Sequence, residues 1–203
     1  MRRLILLSLL LSAGCTLRTP PAVVPKPPGV PDVIIPTSLA PQKPEPDGYV
    51  PGVSNFGFIS ADVWRGAQPT ADGLRTLRAM GCKTVIDLQE RDESGAIPQG
   101  MKYVRLPTPD WEAARVDVVA VLQAIEQSPK PVFIHCHVGR DRTGVAVGAY
   151  RLIHGMKLAD VIAELRNFHV NPWFRSSIER RLEVLARQQP KTEAAVPLNG
   201  TPG

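Results

Sequence analysis

The ten residues His135-Cys136-His137-Val138-Gly139-Arg140-Asp141-Arg142-Thr143-Gly144 follow directly on the apolar run Pro131-Val132-Phe133-Ile134. A cysteine at the end of a buried strand, followed by a glycine-containing loop and a helix start, has a definite chemistry. Backbone N–H groups in such a loop converge on one centre, and with the helix dipole they form an anion cradle. The same field favours thiolate over thiol, which makes Cys136 nucleophilic near neutral pH. The cradle is expected to run through His137, Val138, Gly139, Arg140, Asp141 and Arg142, with Gly139 permitting the tight turn. Arg142, six residues after the cysteine, can lay its planar fork across two oxygens of a bound phosphate. Thr143 can donate its hydroxyl to the sulfur and help the sulfur leave when a thiophosphate breaks down.

Those side chains need a scaffold, and the flanking sequence supplies one. FGFISADVWRGAQP reads as one or two short strands ending at Gln68-Pro69, after which Thr70 caps a helix over Ala71 to Met80, stopped by Gly81. KTVIDLQ (83–89), MKYVRLP (101–107) and PVFIH (131–135) read as short buried strands. Between the last two, Val116, Val119, Val121, Leu122 and Ile125 have helical spacing. Three more helices are expected over Arg142 to His154, Leu158 to Phe168 and Phe174 to Arg187. Such alternation predicts an α/β fold with a mainly parallel central sheet flanked by helices, whose site lies at the carboxyl ends of the strands.

The chain has 203 residues and 43% apolar content, enough for one domain with a core. Its formal charge of +5, which falls by two if Arg2 and Arg3 are removed, is too mild to argue for nucleic acid. Residues 1–15, MRRLILLSLLLSAGC, have a basic start and an apolar run too short to span a bilayer, so they read as a signal peptide. Leu-Ser-Ala-Gly-Cys resembles the bacterial lipobox, which implies lipidation of Cys15. Thr16 after it implies anchoring to the outer membrane, on the periplasmic side. Eleven prolines lie between Pro20 and Pro51, so 16–53 reads as an extended tether reaching about 100 Å at most. The folded unit is then expected over 54–188, with 189–203 as a disordered tail and the protein as a monomer.

His135-Cys136-x-x-Gly139-x-x-Arg142-Thr143-Gly144 resembles the signature of cysteine-dependent protein tyrosine and dual-specificity phosphatases. Matching all six fixed positions by chance is about a one-in-a-million event on average residue usage. WRGAQPTADGLRTLRAMGCKTVIDLQERDE is similar to the start of the atypical dual-specificity subgroup, which includes bacterial periplasmic enzymes and fungal inositol-pyrophosphate phosphatases. The resemblance covers about Val63 to Leu185. It implies a cysteinyl-phosphate intermediate, formed by Cys136 in line with the leaving group and hydrolysed by water, with no cofactor and no metal. It also implies a general acid on an upstream loop, and LPTPDW offers Asp110, 26 residues before Cys136. Asp141 is the rival acid, unless its carboxylate pairs with Arg140 or braces the loop; Glu112 ranks third.

His135 alternates with Cys136 and should point away from the phosphate, bracing the loop by a hydrogen bond. His137 and Arg140 either line the pocket mouth or face solvent. A His-Cys-His metal site is poor because zinc motifs space their ligands. Cys82 precedes one strand while Cys136 ends its neighbour, so a disulfide between them is out of reach and Cys82 reads as a buried apolar residue. Whether Trp111 or Trp173 walls the pocket is left open, with core packing expected for Trp173. Three functions compete: a phosphatase of phosphotyrosine or phosphoserine/threonine proteins, a phosphatase of inositol phosphates or other polyanions, and a tethered phosphate-binding module without turnover.

Overall fold

In the computed structural model, which describes residues 50–188, alternation along the strands sorts the core into two layers. The strands are β1 (Gly57–Phe58), β2 (Val63–Ala67), β3 (Thr84–Asp87), β4 (Lys102–Arg105) and β5 (Val132–Cys136). Side chains of period two face opposite sides. Val63, Ile86, Val132 and Ile134 pack into the larger core, while Trp64, Val85 and Phe133 pack into the smaller one. Both faces of the central strands are therefore buried, which only helices or further chain on each side can provide.

The five-stranded sheet has the order β1-β2-β5-β3-β4; β1 is antiparallel to β2 and all other pairs are parallel. The expected mainly parallel sheet flanked by helices is what forms. β5 returns last in the chain to lie between β2 and β3, so its carboxyl end has a strand end on either side. That is where parallel sheets open a crevice.

α1 (Ala71–Ala79) starts at Thr70, whose hydroxyl accepts from Gly73 N at 3.0 Å, and covers the smaller core. The folded chain begins before the expected residue 54. Val50 and Val53 are buried in that same core, and Gly52 lies so close to Gly73 and Thr70 that a Cβ would overlap them. The expected signal segment, Cys15, most of the tether and the tail fall outside the described residues.

The larger core is covered by α2 (Val118–Glu126), α3 (Asp141–Ile153), α4 (Leu158–Asn167) and α5 (Pro172–Gln188). In α2, Val118, Val121 and Ile125 face inward, whereas Val119 points to solvent, contrary to the expected stripe. α5 begins two residues earlier than its apolar pattern suggests. Pro172 can occupy a first turn because the N–H it lacks would be unpaired there, and Asn171 Oδ1 accepts from Trp173 N at 3.1 Å. Trp173 is consequently turned outward and 90% exposed, not in the core; Phe174, one residue on, packs inward instead. Glycines let the helices close up: Leu182 of α5 fills the space a side chain on Gly148 of α3 would need. Leu182→Ala should therefore leave a cavity between α3 and α5 and cost about 3 kcal/mol of unfolding free energy in urea titrations.

Candidate active site

Cys136 ends β5 buried beneath the loop 137–140, which feeds straight into α3. Three donors fix the loop's carbonyl oxygens on one side. Gln68 N donates to His137 O at 3.2 Å; Asn55 Nδ2 donates to Gly139 O at 3.0 Å and Val138 O at 3.4 Å; Arg65 Nη2 donates to Gly139 O at 2.8 Å. In a planar trans peptide the N–H points opposite to the C=O, so the amides of Val138, Gly139 and Arg140 face the other way, as an anion cradle requires. Gly139 has φ +70, and a Cβ there would lie 2.4 Å from the Gly66 carbonyl group. Glycine is needed both for the turn and for the close approach to β2.

Arg142, in the first turn of α3, is buried with its guanidinium held in a fixed place. Nη1 donates to Thr108 O at 2.8 Å and to Leu88 O at 3.2 Å, while Nη2 pairs with the Asp110 carboxylate. Asp110 opens a 3-10 turn (Asp110–Arg115) after β4 and stays largely exposed, so it stands at the mouth above the buried cation. Asp141 does something else: its Oδ1 accepts from Asn171 N at 2.7 Å, bracing the junction of α4 and α5. That is the bracing role, and it turns the carboxylate away from the cradle. Glu112 is taken up by Arg115 of its own turn, 3.2 Å away. Of the three candidate acids, geometry brings only Asp110 to Arg142.

Thr143 is fully buried, but its hydroxyl has no hydrogen-bond partner among the described residues, so the expected bond to the sulfur is not made. His137 is exposed; its Nδ1–H donates to Gln68 Oε1 at 2.9 Å, and Gln68 Nε2 in turn donates to Glu93. Val138 is exposed and Arg140 half-buried, leaving both at the rim of the loop.

His135 points to the opposite face from Cys136, as alternation requires, and is buried against the Phe133 ring. Its Nδ1 makes no hydrogen bond among the described residues and lies 3.9 Å from Asp87 Oδ1. Burial, the largest influence, holds the His135 imidazole below its ordinary range, so it is neutral at pH 7. It braces by packing. Asp87 anchors the adjoining network, with Oδ1 accepting from Gln89 N at 2.8 Å and Oδ2 from the Tyr103 hydroxyl at 2.7 Å. Burial, then the nearby Asp87 charge, pushes the Glu93 carboxyl up; burial and the bond to Asp87 push the Tyr103 phenol up. Asp87, Glu93 and His135 bring one metal-ligating atom each within 4.8 Å of one another. The acidic oxygens are already engaged by Gln89, Tyr103 and Gln68, so the cluster reads as a protein network.

Sequence reasoning did not assign Asn55, Arg65, Gln68 or Asp87 to the site. A signal existed for Arg65 alone: an arginine inside the buried strand Val-Trp-Arg-Gly-Ala has to be paired. It is 1% exposed, with its guanidinium 3.7 Å from the centre of the Phe168 ring and 4.0 Å from Glu164.

Residues 58–181 match the family described as DSP-PTPase phosphatase fused to NAD+ Kinase. The chain belongs to that family. Among phosphatase-family relatives, the dual specificity protein phosphatase TpbA of Pseudomonas aeruginosa is 28% identical over 57% of this chain and 55% of its own length. Its crystal structure aligns with a TM-score of 0.57 at 27% identity, covering 69% of this chain and 92% of that one. A cysteine-to-serine variant of the same protein has been solved in complex with pTyr and aligns at 26% identity with a TM-score of 0.55, over 66% of this chain and 88% of that one. OCA1 of Yarrowia lipolytica is 29% identical over 70% of this chain and 60% of its own length. The catalytic core of the PP-IP phosphatase SIW14 from S. cerevisiae shares the fold, at 21% identity and a TM-score of 0.52 over 64% of this chain and 84% of that one. The chain thus spans 60% of the length of that OCA1 and 55% of that of TpbA.

The two cysteines of the phosphatase domain are both free, at opposite ends of parallel strands. Burial pushes the Cys82 thiol up to about 12, and the thiol donates to Thr84 O at 3.3 Å. At pH 8 an alkylating agent should therefore label Cys136 and leave Cys82 untouched until the protein is unfolded, as peptide mass mapping would show.

Proposed function

We propose that the chain hydrolyses phosphomonoesters through a cysteinyl-phosphate intermediate, with phosphotyrosine as the favoured class of substrate in a protein phosphatase of tyrosine or dual specificity. The observation that carries this is one strand-loop-helix turn that joins Cys136 at the end of β5, loop amides facing away from their clamped carbonyls, and a buried Arg142 whose guanidinium is braced in place. In the first step the Cys136 thiolate attacks phosphorus in line and the ester P–O bond breaks. Arg142 and the amides hold the three equatorial oxygens, where the charge of the transition state lies. Asp110 delivers a proton to the departing oxygen. In the second step Asp110, now a carboxylate, takes a proton from water, whose oxygen attacks phosphorus and displaces the sulfur as thiolate. Phosphate leaves and the starting state returns.

The pairing of Asp110 with Arg142 suits this sequence. A phosphate dianion in the cradle competes with Asp110 for Arg142, which frees the carboxyl to turn toward the leaving oxygen. Thr143, buried with an unused hydroxyl, is assigned the role of a donor to the thiolate as it leaves.

The test is phosphate release by the full chain from a phosphotyrosine peptide and from inositol hexakisphosphate, side by side. The expected result is turnover of the peptide, abolished by Cys136→Ser and lowered about 10²-fold by Asp110→Asn, with Asp141→Asn close to wild type. Preference for the inositol phosphate would move the substrate to the polyanionic class, and phosphate binding without release would leave a binding module.

We further propose that the domain is tethered at the periplasmic face of the outer membrane through lipid on Cys15. The support is the basic start, the short apolar run and the Leu-Ser-Ala-Gly-Cys sequence. Labelled fatty acid fed to expressing bacteria should appear in the wild-type protein and be lost from Cys15→Ser.

A further inference from the structure

The geometry points to Glu93 as a positioning residue of the phosphate loop, one that holds His137, the residue after the nucleophile, through the side chain of Gln68. This inference rests on the phosphatase reading and deepens it, by adding a group that sets the cradle without touching the substrate.

In the connection from β3 to β4, residues 90–96 are exposed except for Glu93, which is half-buried. Turning a carboxylate inward costs solvation unless donors meet it, and here they do. Gln68 Nε2 and Gln89 Nε2 both donate to its Oε1, the second at 3.2 Å, while Glu93 N donates to the Tyr103 hydroxyl oxygen at 3.1 Å. That hydroxyl gives its own hydrogen to Asp87 Oδ2 at 2.7 Å, and Asp87 Oδ1 accepts from Gln89 N. Backbone and carboxylate of Glu93 are thus fixed to the end of β3, the strand beside the nucleophile.

What this arrangement decides is the sense of one amide. An ionised carboxylate only accepts hydrogen bonds, so Gln68 presents its NH2 group to Glu93 and its oxygen to His137. The His137 ring must then carry a hydrogen on Nδ1. Without Glu93 the Gln68 amide is free to turn over and offer an N–H instead, which calls for the opposite tautomer; two arrangements then replace one. Gln68 N also donates to His137 O at 3.2 Å, so Gln68 grips both the main chain and the ring of the first cradle residue. Asn55 and Arg65 grip Gly139 O two residues later.

The same connection reaches the far end of the loop. Leu88 O accepts from Arg142 Nη1 at 3.2 Å. Residues 88–93 therefore hold Arg142 directly and His137 by way of Gln68, which makes them one support for the amides and the guanidinium together. A misplacement of about 1 Å in such a support costs on the order of 10²-fold in rate.

Two explanations of a Glu93 effect differ in sign. By charge alone, removing a carboxylate favours the thiolate and speeds alkylation of Cys136. Loss of positioning takes amide donors from the sulfur and slows it. In the full chain, Glu93→Ala should slow iodoacetamide alkylation of Cys136 at pH 6 about 3-fold and lower kcat/KM for a phosphotyrosine peptide about 10-fold. Glu93→Gln, which keeps an oxygen for Gln68 Nε2, should stay within about 2-fold of wild type on both readouts. Gln68→Ala should match Glu93→Ala, and the double variant should be no worse than either, because the two act in series. Glu90→Ala, which removes an exposed charge from the same connection, should behave as wild type. If Glu93→Ala fails to fold, Gln68→Ala against Glu93→Gln carries both readouts. Faster or unchanged alkylation in Glu93→Ala, or additive losses in the double variant, would overturn the inference and leave the phosphatase reading in place. A wild-type protein that releases no phosphate would overturn that reading, while alkylation, which needs no turnover, still decides the role of Glu93.

Discussion

The site depends on one carbonyl. Gly139 O is gripped by two buried donors, Arg65 Nη2 at 2.8 Å and Asn55 Nδ2 at 3.0 Å, and that grip decides which way the loop faces. A phosphate cradle is a stretch of backbone whose amides are withheld from protein partners. Left to itself, such a loop would rotate its peptides to pair both ends. Holding the carbonyls on the β2 side removes that freedom, since turning an amide away would strand a buried acceptor at a cost of about 1–3 kcal/mol. Asn55 is itself held at φ 53, a conformation that a short amide side chain tolerates better than most.

The order of strands follows from the same requirement. β5 lies between β2 and β3, with Ala67 opposite Cys136 on one side and Asp87 opposite His135 on the other. From β2 come Arg65 and, just past its end, Gln68, which hold the carbonyls. From the end of β3 comes Leu88 O, and from the segment after β4 come Thr108 O and Asp110, which hold Arg142. Cys136 sits in the middle, its loop clamped from one neighbour and Arg142 braced from the other. A parallel register delivers this because all three strands end at the same level.

What could be read in the sequence was what local order determines. The signature from His135 to Gly144, the strand before it, the Thr70 cap and the stripes of α3 and α4 depend on neighbours a few residues away. The clamp does not: Asn55 and Arg65 reach Gly139 across 84 and 74 residues, and only the fold says they meet. Asp110 leads and Asp141 rivals it in the sequence, whereas the bond from Asn171 N to Asp141, across 30 residues, is visible only in the fold. Trp173 was misplaced for a local reason. Its size argued for the core, but Pro172 starts the helix and sets the phase so that Phe174 goes in and Trp173 goes out. The start of the domain was set too late because Val50 and Val53 sit among prolines, whose composition masks two buried contacts.

The two cysteines show how completely position governs chemistry here. Both are free and buried beside the same central strands. Cys82 precedes β3, at the amino ends, where the backbone offers it the Thr84 carbonyl as an acceptor; it can remain only a thiol, and burial drives its proton affinity up. Cys136 ends β5, at the carboxyl ends, where a loop must turn into a helix and therefore has amides to spare. A donor-rich end of a sheet stabilises an anion and an acceptor-rich end a neutral group. Six residues of strand register thus separate a cysteine beside spare amides from one that only packs, with no change in the residue itself.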